Sequence, residues 1–155
     1  MVFGEEHDFV RFPELASREL DELLLVSPHV QLVNDFEALV VKVHDGDTVT
    51  LRIEERSFDF PLRFASIDAP ELGDGVVGVE ARDYLKQLIE GEVVFVKMDP
   101  NNRVEKWGRL LGDVFVGGAN VGEQMVLLGF AFPFERRREG ELVGFDKLLE
   151  RSSWF

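Results

Sequence analysis

Short apolar and β-branched segments, separated by turn residues, occupy the chain from residue 36 onward and limit its possible folds more than any other feature. Three of them follow one another, at residues 36–44, 48–53 and 58–67. Two more occur at residues 93–98 and 109–116. Segments of this length and composition are typical of β-strands. Their order predicts a mainly β, α+β domain built on a small, partly open Greek-key barrel.

Helical periodicity appears between and after these strands. Residues 79–90 place their apolar side chains on one side and end before Gly91, a common helix stop. Residues 121–128 and 142–151 have similar patterns. About three helices are therefore expected to pack on the barrel.

The first 35 residues differ from the rest in net charge and in the spacing of their apolar residues. They hold eight acidic residues against two arginines. Residues 13–24 begin with a proline suited to a first helical turn and carry leucines largely on one face, which predicts a short amphipathic helix. We expect residues 1–35 to be an acidic appendage to a domain at residues 36–155. Residues 13–26 would pack on that domain, self-associate or dock on a partner.

Composition excludes several classes of function. The chain has no cysteine, which rules out disulfides, thiolate zinc sites and cysteine nucleophiles. Its net charge of −13 argues against binding nucleic acid over the whole surface, although a locally basic cleft remains compatible with it. No apolar run approaches the roughly 20 residues that span a bilayer, and the start lacks signal-peptide features, so a cytoplasmic protein without membrane contacts is expected.

Two acidic motifs follow predicted strands. They are Asp45-Gly46-Asp47-Thr48 and Ile67-Asp68-Ala69-Pro70-Glu71. Each alone is compatible with a tight turn and solvated acids. If the first strands form a meander, however, Asp47 and Asp68 approach each other at the edge of the sheet. Carboxylates gathered in this way favour a bound cation, and oxygen-only ligands favour calcium, magnesium or manganese.

Two arginines and two aromatic residues could contact a nucleic acid. Arg63 lies in an apolar strand, where it either pairs with a nearby acid or grips a phosphate. Arg109 starts a strand and could do the same, or be a solvated cation. Phe132 and Phe134 offer faces for base stacking or for core packing. The basic run at residues 136–138 is interpreted as a solvated turn.

Three motifs in a fixed order resemble the staphylococcal nuclease (thermonuclease) family. They are VHDGDTV at residues 43–49, LRFASIDAPE at residues 62–71 and KWGRL at residues 106–110, within a similarity that runs over residues 36–154. This resemblance implies a five-stranded OB-fold barrel with three helices. It also implies cleavage of DNA and RNA with one calcium ion, leaving 3′-phosphate ends.

The resemblance also implies roles for individual residues. Asp47, Asp68 and the backbone carbonyl of Ala69 would bind calcium. Asp45 would support these ligands without contacting the ion itself. Glu71 would be the general base or orient the water, and the phosphate would be held by Arg63 and Arg109. Contacts with the substrate are implied for a further group of side chains: Lys106, Trp107, Phe132 and Phe134.

The function expected from the sequence is therefore a calcium-dependent nuclease acting on single- or double-stranded DNA or RNA with little sequence preference. The alternative is an OB-fold module that binds protein or nucleic acid without catalysis, since a fold does not fix a function. Retention of both carboxylates, the base and both arginines favours the enzyme, because a degenerate module has little reason to keep all five.

Overall fold

The computed structural model describes residues 9–16, 19, 27–105 and 108–134. Several predictions fall on residues outside this part of the chain: Lys106, Trp107, the basic run at 136–138, the third helix at 142–151, and most of the N-terminal helix. Within the described part, no helix is both long and apolar enough to cross a membrane.

The described residues form eight strands and two helices. The strands are β1 (Phe36–Asp45), β2 (Thr48–Arg52), β3 (Phe60–Phe64), β4 (Ile67–Asp68), β5 (Val93–Lys97), β6 (Leu110–Val116), β7 (Ala119–Asn120) and β8 (Phe132–Pro133). The helices are α1 (Val76–Ile89) and α2 (Val121–Leu127), and a 3₁₀ turn covers Leu72–Asp74.

Five of the strands close into a mixed barrel. They lie in the order β3-β2-β1-β5-β6, with antiparallel neighbours throughout. The barrel closes through a parallel pairing of β3 with β6, in which Leu62 lies opposite Leu110 and Arg63 opposite Leu111. The chain therefore has the predicted OB-fold architecture, mainly β with helices.

The barrel interior is filled by the inward side chains of the strands, which alternate with outward ones. Val40, Val49 and Leu62 are fully buried there. Helix α1 lies on β1 and buries Ala81, Leu85 and Ile89, which recur at helical spacing. Burial of this continuous apolar interior is the main stabilising contribution to the fold.

The third predicted strand, at residues 58–67, is divided in the structure. Strand β3 ends at Phe64, and the chain resumes as β4, which pairs with β8 rather than with the barrel. The Arg63 side chain accounts for the break, because its Nη1 donates hydrogen bonds to the carbonyls of Phe64 (2.6 Å) and Ile67 (2.8 Å). The main chain bends around the guanidinium group.

The predicted N-terminal helix does not begin at Pro13. Residues 13–16 are not helical, because their backbone groups pair with Gln31. The amide of Leu15 donates to Gln31 Oε1 (2.7 Å), and Gln31 Nε2 donates to the carbonyl of Pro13 (2.8 Å). Leu15 and Leu32 are buried. The division into two parts at residue 36 stays a prediction, although contacts cross it.

Candidate active site

The turn between β1 and β2 holds Asp47 against the body of the protein. The φ angle of Gly46 is not positive. The glycine is therefore needed because there is no space for a side chain, rather than to allow a left-handed turn. A Cβ at this position would lie 2.8 Å from the Cβ of Ala69 and 2.9 Å from that of Ala81. The absence of a side chain lets the turn approach both the acidic motif after β4 and helix α1.

Asp47 is buried, and each of its two carboxylate oxygens accepts a hydrogen bond. Its Oδ1 accepts a hydrogen bond from the hydroxyl of Thr48 (3.0 Å), and its Oδ2 accepts one from the amide of Ala69 (2.7 Å). Burial raises the pKa of Asp47 to about 7 against the lowering effect of Arg63, and the neighbouring Asp45 carboxyl adds to the rise. The carboxylate of Asp47 therefore lies where further positive charge is favourable.

Arg63 joins the two acidic motifs. Its Nη2 lies 2.9 Å from Asp68 Oδ1 and 3.2 Å from Asp47 Oδ2. The residue is only 8% exposed, and its other terminal nitrogen donates to two carbonyl oxygens of the chain bend. An interior guanidinium is tolerated here because carboxylates and carbonyls satisfy it. The predicted approach of Asp47 and Asp68 thus occurs, with Arg63 between them.

Glu71 stands at the rim of the same region and is exposed. Its amide donates to Asp74 Oδ2 (2.8 Å), which fixes the start of the 3₁₀ turn. A Cβ at Gly78 would overlap the carbonyl of Glu71, so the first turn of α1 presses directly against this residue. The backbone of Glu71 is held firmly while its carboxylate remains accessible to water.

Arg109 precedes β6 and is half-buried. Its Nε and Nη2 donate to the carboxylate of Glu105, with 3.1 Å between Nη2 and Oε2, and its Nη1 lies 3.4 Å from the hydroxyl oxygen of Thr48. The hydrogen bond to Glu105 raises the pKa of the Arg109 guanidinium. The Glu105 carboxylate accepts two hydrogen bonds from the guanidinium of Arg109, and a phosphate group could accept the same two bonds.

A single open cleft of about 1350 Å³ connects these side chains. The predicted site residues that line it are Asp47, Arg63, Asp68, Ala69, Glu71, Arg109 and Phe134. Phe132 pairs through its backbone with Asp68 in the β4–β8 sheet and is not among the lining residues. Lys106 and Trp107 lie outside the described residues. The structure therefore brings together the predicted metal, base and phosphate positions, and one of the two aromatics.

Sequence reasoning gave Thr48 no role of its own, although it lies in the first acidic motif, and it did not single out Glu105. The hydroxyl of Thr48 touches both Asp47 and Arg109, and Glu105 is the partner of Arg109. The spacing of four residues between Glu105 and Arg109 is only a weak signal, because the rule for such pairs applies to helices and neither residue is helical. No comparable signal exists for Thr48, because its contact with Arg109 depends on the closure of the barrel.

The donor atoms in the cleft fit a hard divalent cation. Asp45, Asp47 and Asp68 all line the cleft, and a divalent cation would reduce the repulsion between their carboxylates. The available ligands are oxygens, which calcium and magnesium prefer. In the described part of the chain no three His, Asp or Glu side chains form a metal cluster by themselves, so a cation here would also need backbone oxygen or water.

Comparison with known proteins connects this cleft with one family. The family model described as "Staphylococcal nuclease homologue" matches residues 61–149, more than half of the chain. A micrococcal nuclease of Shigella flexneri is 33% identical over 76% of this chain and 71% of its own length. Endonuclease YhcR of Bacillus subtilis is 32% identical over 63% of this chain.

The matched region is often a part of a longer relative. The chain covers 9% of the Bacillus subtilis endonuclease. It covers 56% of an uncharacterized Bacillus anthracis protein that is 28% identical over 81% of this chain. It covers 26% of the staphylococcal-like nuclease CAN1 of Arabidopsis thaliana, which is 32% identical over 61% of this chain. The similarity therefore concerns the nuclease-like domain rather than the full architecture of those proteins.

Proposed function

The chain belongs to the family of staphylococcal nuclease homologues, and on this basis we propose that it is a calcium-dependent nuclease that hydrolyses phosphodiester bonds of DNA, of RNA or of both. The observation that carries the proposal is the convergence of two carboxylates, an exposed glutamate and two arginines on one cleft. Nuclease-named relatives at about 30% identity support the same class of reaction.

Calcium would be held by Asp47, Asp68 and the backbone carbonyl of Ala69, and when bound it supplies Lewis-acid polarisation of a phosphate oxygen. These residues meet the need of the ion for oxygen ligands and compensate its charge. Magnesium requires a tighter octahedral shell and releases water reluctantly. We therefore expect it to support cleavage poorly.

Glu71 would accept a proton from the attacking water or orient that water towards phosphorus. Its position suits this role, because the backbone is fixed by Asp74 and by the start of α1 while the residue is exposed and lines the cleft. A positioned base of this kind typically contributes about 10²–10⁴-fold to the rate. The water oxygen forms the new bond to phosphorus as the bond to the 5′-oxygen breaks, the leaving 5′-oxygen takes a proton from solvent, and the phosphate stays on the 3′ side.

Arg63 and Arg109 would stabilise the additional negative charge on the phosphoryl group during transfer. Preorganised donors of this kind commonly contribute the largest share of catalysis. For Arg109 the phosphate would replace the Glu105 carboxylate as the bidentate partner. Because these contacts address the phosphodiester rather than the bases, little sequence preference is expected.

The remaining contacts with substrate are proposed for Lys106, Trp107, Phe132 and Phe134. Phe134 has structural support as part of the cleft wall, where its ring could stack on a base. Phe132 would act indirectly, since its backbone pairs with Asp68.

A cleavage assay on single- and double-stranded DNA and RNA, in calcium, in magnesium and in excess chelator, tests the proposal. Cleavage that needs calcium and leaves 3′-phosphate ends is the expected result. Binding of nucleic acid without cleavage in any metal would favour the non-catalytic OB-fold module instead. Full activity in chelator would reject the metal site.

A further inference from the structure

A buried cluster of charges ties the N-terminal residues to the connection between β5 and β6. Arg103, in that connection, is 1% exposed. Its Nε donates to the carbonyl of Leu32 (2.8 Å), its Nη1 to the carbonyl of Leu15 (2.6 Å), and its Nη2 to Glu14 Oε2 (3.2 Å). The hydrogen-bond donors of this buried guanidinium are thus paired with residues that precede the barrel in the chain.

Glu14 also pairs with a second arginine. Its other carboxylate oxygen contacts Arg56 Nη1, in the connection between β2 and β3. Arg56 is 5% exposed, donates to the carbonyl of Val30 (2.9 Å) and lies over the ring of Phe60 at 4.7 Å. The two arginines share one acidic partner but belong to different connections. Both therefore hold the N-terminal residues, Arg103 to the connection between β5 and β6 and Arg56 to the connection between β2 and β3.

The connection that carries Arg103 also carries the ion pair of Glu105 with Arg109. The carbonyl of Arg103 accepts from the amide of Leu111 (2.7 Å), and the amide of Glu105 donates to the carbonyl of Arg109 (2.9 Å). These bonds make the connection a narrow two-stranded extension of the barrel. A shift of Arg103 would therefore be transmitted directly to Glu105 and Arg109.

Two further contacts hold the same connection from the N-terminal side. The ring of Phe12 packs on Gly108, where a Cβ would overlap it, and Gly108 has a φ of +82° that favours glycine. Asp35 Oδ1 accepts a hydrogen bond from the amide of Met98 (2.8 Å). We call residues 9–16 and 27–35 the N-terminal strap. The strap therefore contacts this connection at three points, which are Met98, Arg103 and Gly108.

We propose that the N-terminal strap positions Arg109 for catalysis, with Phe12 and Arg103 as positioning residues. The inference rests on the proposed function, since Arg109 is the residue whose placement it explains. Displacement of a catalytic group by about 1 Å can lower a rate by about 10²-fold. A strap that fixes the neighbour of Arg109 and the backbone of Leu111 is well placed to prevent such a displacement.

The first experiment compares three variants of the full chain, Phe12→Ala, Arg103→Met and Ile89→Ala, for kcat, KM and melting temperature on one DNA substrate with calcium. Phe12→Ala and Arg103→Met should lower kcat by about 10-fold or more, with KM changed by less than about 3-fold. Ile89→Ala removes a buried side chain of α1 that does not line the cleft, so it should lower the melting temperature and leave kcat unchanged. Equal kcat losses in the Arg103 and Ile89 variants would overturn the inference. Phe12→Leu, which keeps an apolar contact on Gly108, should recover most of the activity.

A double-mutant cycle asks whether these residues act through Arg109. In an Arg109→Ala background, adding Phe12→Ala should cause little further loss of kcat, because the group that the strap positions is already absent. Losses that multiply would contradict the inference. Phe12→Ala serves here because it removes a ring at a half-buried position, so the cycle does not depend on whether Arg103→Met folds.

Hydrogen exchange of backbone amides tests the positioning role of the strap without measuring cleavage. The amides of Glu105 and Leu111 should exchange at least about 10-fold faster in Phe12→Ala than in the unmodified chain, and should be unaffected in Ile89→Ala. If the unmodified chain cleaves nothing, the proposed function fails and the exchange rates still test the strap. If it cleaves and neither exchange nor kcat responds to Phe12→Ala, the strap inference fails alone.

Discussion

Arg63 and Arg109 face the same cleft but are held differently, so the same substitution should have different consequences. Either change to alanine should lower kcat by about 10²-fold or more through lost charge stabilisation. Arg63→Ala also leaves two carboxylates without their buried partner and should cost about 3 kcal/mol in the free energy of unfolding. Arg109→Ala should cost less than about 1 kcal/mol, since its pair is partly exposed. Urea denaturation and steady-state kinetics separate the two effects, and equal stability losses would contradict the assignment.

Glu71→Gln should reduce kcat by about 100-fold or more while leaving the fold intact. The amide has nearly the same shape but cannot accept the proton, and the exposed side chain contributes little to packing. Binding of calcium and of a nucleoside bisphosphate, measured calorimetrically, should persist. Glu54→Gln, an exposed glutamate outside the cleft, is the matched control. Undiminished turnover in a folded Glu71→Gln variant would reject Glu71 as the base.

At this scale the sequence was informative about residue type and less so about pairing. Arg63 could be expected to meet an acid, because an isolated charge in an apolar strand is costly, and its partners are indeed the two predicted aspartates. The contact between Thr48 and Arg109 joins residues 61 positions apart in the chain. Such a contact follows from tertiary closure and has no local sequence signal.

The turn between β1 and β2 leads to a prediction at the scale of an element. Gly46→Ala places a Cβ against the Cβ atoms of Ala69 and Ala81, which cannot rotate away. We expect a loss of about 1–3 kcal/mol in the free energy of unfolding, and weaker cleavage because the turn carries Asp47. Gly73→Ala is the control, since a Cβ there meets nothing within 4 Å. A neutral Gly46→Ala variant would show that the turn can move away from the body of the protein.

Element boundaries show where local patterns stop being sufficient. Continuous apolar character indicated one strand at residues 58–67, but the chain bends after Phe64 because the Arg63 guanidinium binds two carbonyls on the inside of the bend. Likewise, residues 13–16 have a composition that favours the start of a helix. In the structure, however, the side chain of Gln31 forms hydrogen bonds with the backbone groups of Pro13 and Leu15. In both cases a single polar side chain outweighs propensity.

The net charge of −13 gives a prediction for the whole molecule. A polyanionic substrate is repelled at long range, although two arginines attract it locally. Raising ionic strength from 0.01 M to 0.15 M shortens the screening length from about 30 Å to about 8 Å. The value of kcat/KM on long DNA should therefore rise over this range, while that on a dinucleotide changes little. A monotonic fall with salt on long DNA would indicate a basic binding surface instead.

We also propose that residues 36–155 hold the catalytic machinery, with residues 1–35 acting on it from outside. A chain that begins at Phe36 loses the partners of Arg103 and Arg56, so its melting temperature should fall by several degrees. Calcium-dependent cleavage should remain detectable at reduced kcat in the folded fraction. A truncated chain that folds and shows no calcium-dependent cleavage would place the boundary elsewhere.

The parallel pairing of β3 with β6 determines when the candidate site can be completed as the chain folds. The two strands are separated by more than 40 positions in the chain, and joining them is the kind of long-range step that slows folding. Arg63 lies on one side of this seam, and Arg109 immediately precedes the strand on the other side. The β1–β2–β3 meander by itself carries Asp47 and Arg63 but not Arg109. The candidate site is therefore complete only when the seam is closed, and we expect a chain with an open seam to lack the proposed cleavage.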